Sequence, residues 1–227
     1  MKTMPRSRLI GLVLIRFGTG AVVMGLLFFL SAGTFRFWHA WVFMAILFIP
    51  MFFVLIYLVK NDPALLERRM RTREMEPFQK RSLIISTFLY ALAFLMPGLD
   101  HRFGWSSVPV ALVIVADIIV FLGYMLFFLV LRENSYASRV VEVEKEQKVI
   151  SSGPYATVRH PMYAAALMIF LFSPMALGSL WALAAMIPAT LLIIPRIIDE
   201  ERLLSRELPG YEAYRQKVRY RLIPMAW

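Results

Sequence analysis

Six apolar runs, at 9–30, 40–59, 83–98, 108–131, 162–177 and 180–194, leave this 227-residue chain few ways to fold. A helix needs about 20 mostly apolar residues to cross the hydrocarbon core, and lipid tolerates only backbones whose polar groups are satisfied internally. The runs therefore predict an all-α integral membrane protein with about six transmembrane helices. Composition agrees: 59% of the residues are hydrophobic and the mean hydropathy is +0.65, whereas soluble domains lie near about 45–50% apolar. The first run is long and lacks a small-residue cleavage site, so it is expected to stay as a span. The last two runs are short and meet at Gly178-Ser179, which predicts a tight helical hairpin.

Charge orients this topology. Of the 25 Lys and Arg residues, 22 fall in four segments on one side: the N-terminus, the loop 60–81, the loop 132–159 and the tail from Arg196. Arg36 and Arg102 fall on the other side, and Arg16 lies inside the first run. The positive-inside rule then puts both termini and both polar blocks in the cytoplasm. Topology thus accounts for the net charge of +10, and no nucleic-acid partner is expected. With no cysteine, disulfides and thiolate metal sites are excluded, and His39, His101 and His160 are too scattered to suggest a metal centre.

In the 60–81 loop, Asp62 is placed to cap a helix that Pro63 opens, with Leu65, Leu66 and Met70 on one face. It reads either as a lid over a site or as a helix lying on the membrane surface. Two ionisable residues fall inside apolar runs. Arg16 is close enough to an end to snorkel, and Asp117 is deep enough to call for a partner on another helix.

Two polar blocks bracket the hairpin. The first, SSGPYATVRHPMY at 151–163, turns at Gly153-Pro154. Pro161 keeps His160 extended and suits the first position of a helix, so the fifth span is expected to open there with its unpaired N–H groups turned to the cytoplasm. Tyr155 and Tyr163 flank that point with aromatic faces, and His160 can donate or accept. A well-capped span with a tyrosine belt fits these residues as well as an anion-binding site does. The second block, RIIDEERLLSRELPGYEAY at 196–214, sets Arg196, Asp199 and Glu200 on one helical face with Glu201 one step around. A simple intrahelical salt bridge explains that face equally well, but the hairpin returns it to the neighbourhood of Pro161.

GPYATVRHPMY, DEERLL and GYEAYRQKVRYRLIP, in this order around a hairpin, resemble the isoprenylcysteine carboxyl methyltransferase family, within the larger group that includes phospholipid N-methyltransferases. The likeness covers roughly 134–224; the earlier spans agree only in number and apolarity. It implies a methyltransferase core at 132–227 behind an N-terminal anchor at 1–131. It also implies S-adenosylmethionine as cofactor and a lipophilic acceptor entering from the bilayer. Carried over by motif, the cofactor residues are Gln147, Lys148, Val149, Ile150, Tyr155, His160, Pro161, Met162, Tyr163 and Glu200. Arg196 would face the acceptor, with Arg196 and His160 the catalytic candidates. Glu142 is a further cofactor candidate, although the segment that follows it is shorter than in the family. A carboxylate acceptor needs no base; an amine or hydroxyl would call on His160 or Glu201. Competing expectations are a phospholipid or small-molecule N- or S-methyltransferase, or a sterol-type reductase seating an NADPH 2′-phosphate on Arg215, Lys217, Arg219 and Arg221. A membrane scaffold or transporter-like protein without a nucleotide is the third alternative.

Overall fold

The computed structural model describes residues 5–70, 77–137, 143 and 147–227, with the backbone alone for 77–83. Glu142 and part of the 60–81 loop lie outside the described residues. Helices α1 (Arg6–Ala32), α2 (Trp38–Asn61), α3 (Pro63–Met70), α4 (Pro77–Phe103) and α5 (Val110–Glu133) are followed by a 3-10 turn, Gly153–Ala156. Then come α6 (Pro161–Ala176), α7 (Ala182–Leu191), α8 (Ile193–Glu207) and α9 (Tyr211–Lys217), with no strand among the described residues. The all-α membrane architecture is as expected.

Among the described residues, five helical stretches have the length and apolarity to cross a membrane: α1, α2, 84–103 of α4, α5, and α7 with α8 taken as one 26-residue run. The fifth predicted span is only the 16-residue α6, or about 24 Å at 1.5 Å per residue, short of the hydrocarbon thickness. The sixth does not stop before the charged block. Its helix breaks only at Leu192, and Pro195 sits in the first turn of α8, where its missing N–H costs no hydrogen bond. Span and polar block are therefore nearly one rod.

Leu14, Leu30, Phe53, Phe88 and Ile118 are more than half exposed, an arrangement water would penalise and lipid does not. Trp38, Trp41, Trp105 and Trp181 gather at the end of the bundle opposite the polar blocks, as an interfacial belt would. Small residues bring helices together. A Cβ on Gly98 would lie 1.8 Å from Ser31 Oγ, and one on Gly123 would lie 2.9 Å from Met168 Cβ, so α1–α4 and α5–α6 are in close contact. At the tryptophan end, buried Asp100 accepts from Ser106 N (2.7 Å), Ser106 Oγ (2.5 Å) and Ser179 Oγ (2.5 Å), pinning the α6–α7 hairpin to the end of α4. The hairpin turn forms as expected: Gly178 has φ +72°, and a Cβ there would meet His39 at 2.9 Å.

Helix α3 packs its apolar face against the bundle. The Asp62 cap forms, with Leu65 N donating to Oδ1 at 2.9 Å, but Leu65, Leu66 and Glu67 are all buried. The apolar face packs with Leu9, Val13, Val54, Leu58, Tyr124 and Leu131. Arg16 Nη1 donates to the Met70 carbonyl of α3 at 2.9 Å, tying the first span to that helix. The partner expected for Asp117 is not found: its Oδ1 is buried without a hydrogen bond among the described residues.

Candidate functional site

At the end of the bundle opposite the tryptophans, the 3-10 turn, the start of α6, α8 and α9 surround one cavity. Gly153 adopts φ +54°, and Ser152 Oγ donates to Glu133 at the end of α5, so the turn is anchored on that helix. His160 is the residue before the helix, with φ −122°, and Pro161 is its first residue, as the sequence predicts. The anion seat expected there is smaller than anticipated, because the N–H groups of Tyr163 and Ala164 both close on the His160 carbonyl at 3.1 Å.

The described cofactor and acceptor residues carried over by motif line this cavity: Gln147, Lys148, Val149 and Ile150 on the segment before the turn, Tyr155 on the turn, His160 to Tyr163 at the start of α6, and Arg196 and Glu200 on α8. Their bonding differs from the expectation in two ways. Tyr155 is held at both ends as well as offering a ring face. Its hydroxyl accepts from Asn134 Nδ2 at 2.8 Å, and its carbonyl accepts from the Tyr214 hydroxyl at 2.8 Å. Burial pushes the Tyr155 hydroxyl up to about 12, against the opposing pull of the Asn134 hydrogen bond, so it stays protonated at neutral pH. Asp199 leaves the shared face to pair with Arg202 in an exposed i,i+3 contact, whereas Arg196 and Glu200 meet through Tyr163. Arg196 Nε donates to the Tyr163 hydroxyl at 2.9 Å, and that hydroxyl donates to Glu200 Oε2 at 2.7 Å.

Behind this face lies a buried ion cluster that sequence reasoning missed. Glu201 is 5% exposed and accepts from Arg159 Nε at 2.7 Å, Arg221 Nε at 2.9 Å and His160 Nε2 at 3.2 Å. Arg159 Nη1 also donates to the Val218 and Arg219 carbonyls at 2.7 Å. The tail runs beside the RHP segment, with Arg159 N bonded to Tyr220 O and His160 N to Arg221 O, each at 2.9 Å. The four basic residues read as a phosphate seat are thereby divided: Arg221 turns inward to Glu201, and Arg215 pairs with Glu212 at 3.3 Å. Leu208, Tyr211, Tyr214 and Val218 form a small core with Val149 and Leu204, giving the cavity an apolar wall. The one sequence signal for this cluster was the second glutamate of the EE pair, whose side chain leaves the helix on a different face from Glu200.

Fold and site together define a multi-pass helical membrane protein with a cavity of mixed polar and apolar lining at one end of the bundle. Residues 111–209, from the start of α5 to just past α8, match the family model described as phospholipid methyltransferase, a description that agrees with the wider group the motifs resemble. The match supports a membrane methyltransferase. Comparison with curated proteins found no match.

Proposed function

We propose that the protein is an S-adenosylmethionine-dependent methyltransferase acting on a lipophilic acceptor that enters from the bilayer, in the manner of isoprenylcysteine carboxyl O-methylation. The observation that carries this reading is the convergence of 147–150, Tyr155, His160–Tyr163, Arg196 and Glu200 on one cavity. The cavity suits the cofactor's chemistry. Val149, Leu204 and Leu208 offer an apolar wall for a purine, and Glu200 offers an acceptor for a ribose hydroxyl or an ammonium. When bound, the cofactor supplies an electrophilic methyl group on a sulfonium whose leaving group is a neutral thioether.

The chain's own residues then align and exclude water. Tyr155, clamped by Asn134 and Tyr214, and Tyr163, clamped by Glu200 and Arg196, hold their rings and hydroxyls in fixed positions. That fixity is what an in-line transfer requires of its surroundings. Arg196 orients an anionic acceptor, which is already ionised and needs no base. The basic excess supports a cytoplasmic site, where a soluble donor is at hand.

A second reading, an amine acceptor such as a phospholipid headgroup, is favoured by one observation. His160 gives Nε2 to Glu201, which leaves Nδ1 on the cavity side as a candidate proton acceptor. Incubating membranes with labelled methyl donor separates the two readings. A base-labile product signifies an ester; a base-stable lipid product signifies N-methylation; no labelled product at all overturns the methyltransferase assignment.

A further inference from the structure

Beyond α9 the tail folds into a closed loop. Arg221 N and Leu222 N both donate to the Trp227 carbonyl at 2.9 Å, and Ala226 N donates to the Ile223 carbonyl at 3.1 Å. The Arg221 guanidinium lies 5.1 Å from the centre of the Trp227 ring. Val218 and Leu222 are buried beneath the loop, whereas Tyr220, Ile223 and Met225 are 38%, 54% and 89% exposed. Met225 has φ +66°, the one positive value at a non-glycine position among the described residues. Its backbone state is one that glycine adopts more readily, yet the tip of the loop carries a large apolar side chain.

Direction and charge say what covers this loop. The bonds from Arg159 N to Tyr220 O and from His160 N to Arg221 O advance in step, so the tail runs the same way as the segment that leads into α6. It is heading toward the bilayer when the loop begins. Arg221 is neutralised by Glu201, and Arg215 pairs with Glu212. Lys217 and Arg219 are exposed with no side-chain hydrogen bond or ion pair among the described residues, so the surplus charge beside the loop is positive. An apolar tip flanked by unpaired cations at the edge of a bilayer is complementary to anionic headgroups above acyl chains. We propose that the loop 220–225, with Lys217 and Arg219, docks on an anionic lipid surface and puts Ile223 and Met225 into the headgroup region. The inference goes beyond the methyltransferase reading and does not depend on it.

Because the chain has no cysteine, one nitroxide label can be attached at a chosen position without removing any other residue. The full-length protein is labelled as Met225→Cys and, separately, as Glu207→Cys at the far end of α8, which serves as the aqueous reference. Ile223→Cys gives an independent reading if the turn at Met225 does not tolerate replacement. Each variant is reconstituted in vesicles of phosphatidylcholine with phosphatidylglycerol, and in phosphatidylcholine alone. Collision with oxygen and with an aqueous nickel chelate then reports depth. In the anionic vesicles the label at 225 or 223 is expected about 5–10 Å below the headgroup boundary, with the label at 207 in water. Neutral vesicles, or Lys217→Gln combined with Arg219→Gln, should lower the immersed-to-exposed ratio at least about fivefold, the worth of one charge near an anionic surface. The proposal is overturned if 225 and 223 meet the nickel chelate as freely as 207 does. It is equally overturned if their shielding is the same in neutral vesicles and indifferent to the two glutamines. Dipolar broadening between labels would show a second copy of the chain covering the loop, and would overturn lipid docking too.

Discussion

The Tyr163 hydroxyl donates to Glu200 Oε2 at 2.7 Å while accepting from Arg196 Nε at 2.9 Å. One hydroxyl therefore couples the start of α6 to both polar residues that α8 brings to the cavity. Removing it with Tyr163→Phe is expected to weaken cofactor binding at least about tenfold, in line with the loss of a hydrogen bond to a charged group. Equilibrium binding of S-adenosylhomocysteine to the purified variant checks this.

Arg196 and Glu200 share that hydroxyl, yet the account gives them different ligands. Arg196→Ala should lower turnover at least about tenfold with little change in nucleotide affinity. Glu200→Ala should instead lose about 10–100-fold in nucleotide affinity. Parallel loss of both quantities in the two variants, measured by calorimetry and methyl transfer, contradicts the division of roles.

Glu201 has a structural weight that its neighbour lacks. Replacing it by Ala leaves Arg159, 7% exposed, without its carboxylate. Breaking one partner of a buried pair costs about 3–5 kcal/mol. The variant should unfold at a clearly lower temperature in a detergent melt, whereas Asp199→Ala, which removes an exposed i,i+3 contact, should shift it by no more than about 0.5 kcal/mol equivalent.

The tail is part of the site although it lies beyond residues 111–209. Deleting 218–227 removes the carbonyls of Val218 and Arg219 from Arg159, the backbone bonds to Arg159 and His160, and the Arg221–Glu201 pair. The truncated protein should still insert in membranes but bind nucleotide far more weakly, which flotation and filter binding measure separately.

Much of this was legible in the residues. Apolar length alone marks the spans, because nothing but a helix hides that much backbone from lipid. Gly153-Pro154 and His160-Pro161 announce their turns through φ restrictions that act locally. The rest depends on long-range geometry. An apolar face such as Leu65, Leu66 and Met70 looks the same whether it meets lipid or protein, so the burial of α3 was not visible in its period. The continuity of α7 with α8 was hidden by Pro195, a residue that stops a helix from within but is harmless in a first turn. Arg159, Glu201 and Arg221 lie 42 and 20 positions apart in sequence, and no local pattern pairs them. Asp117 was marked as needing a partner, and the structure shows none among the described residues.

The most direct measurement is calorimetric titration of the detergent-purified protein with S-adenosylhomocysteine and, separately, with NADPH. The account predicts saturable binding of S-adenosylhomocysteine, weakened by Glu200→Ala, and no comparable binding of NADPH. Binding of NADPH alone, or of neither nucleotide, would contradict it.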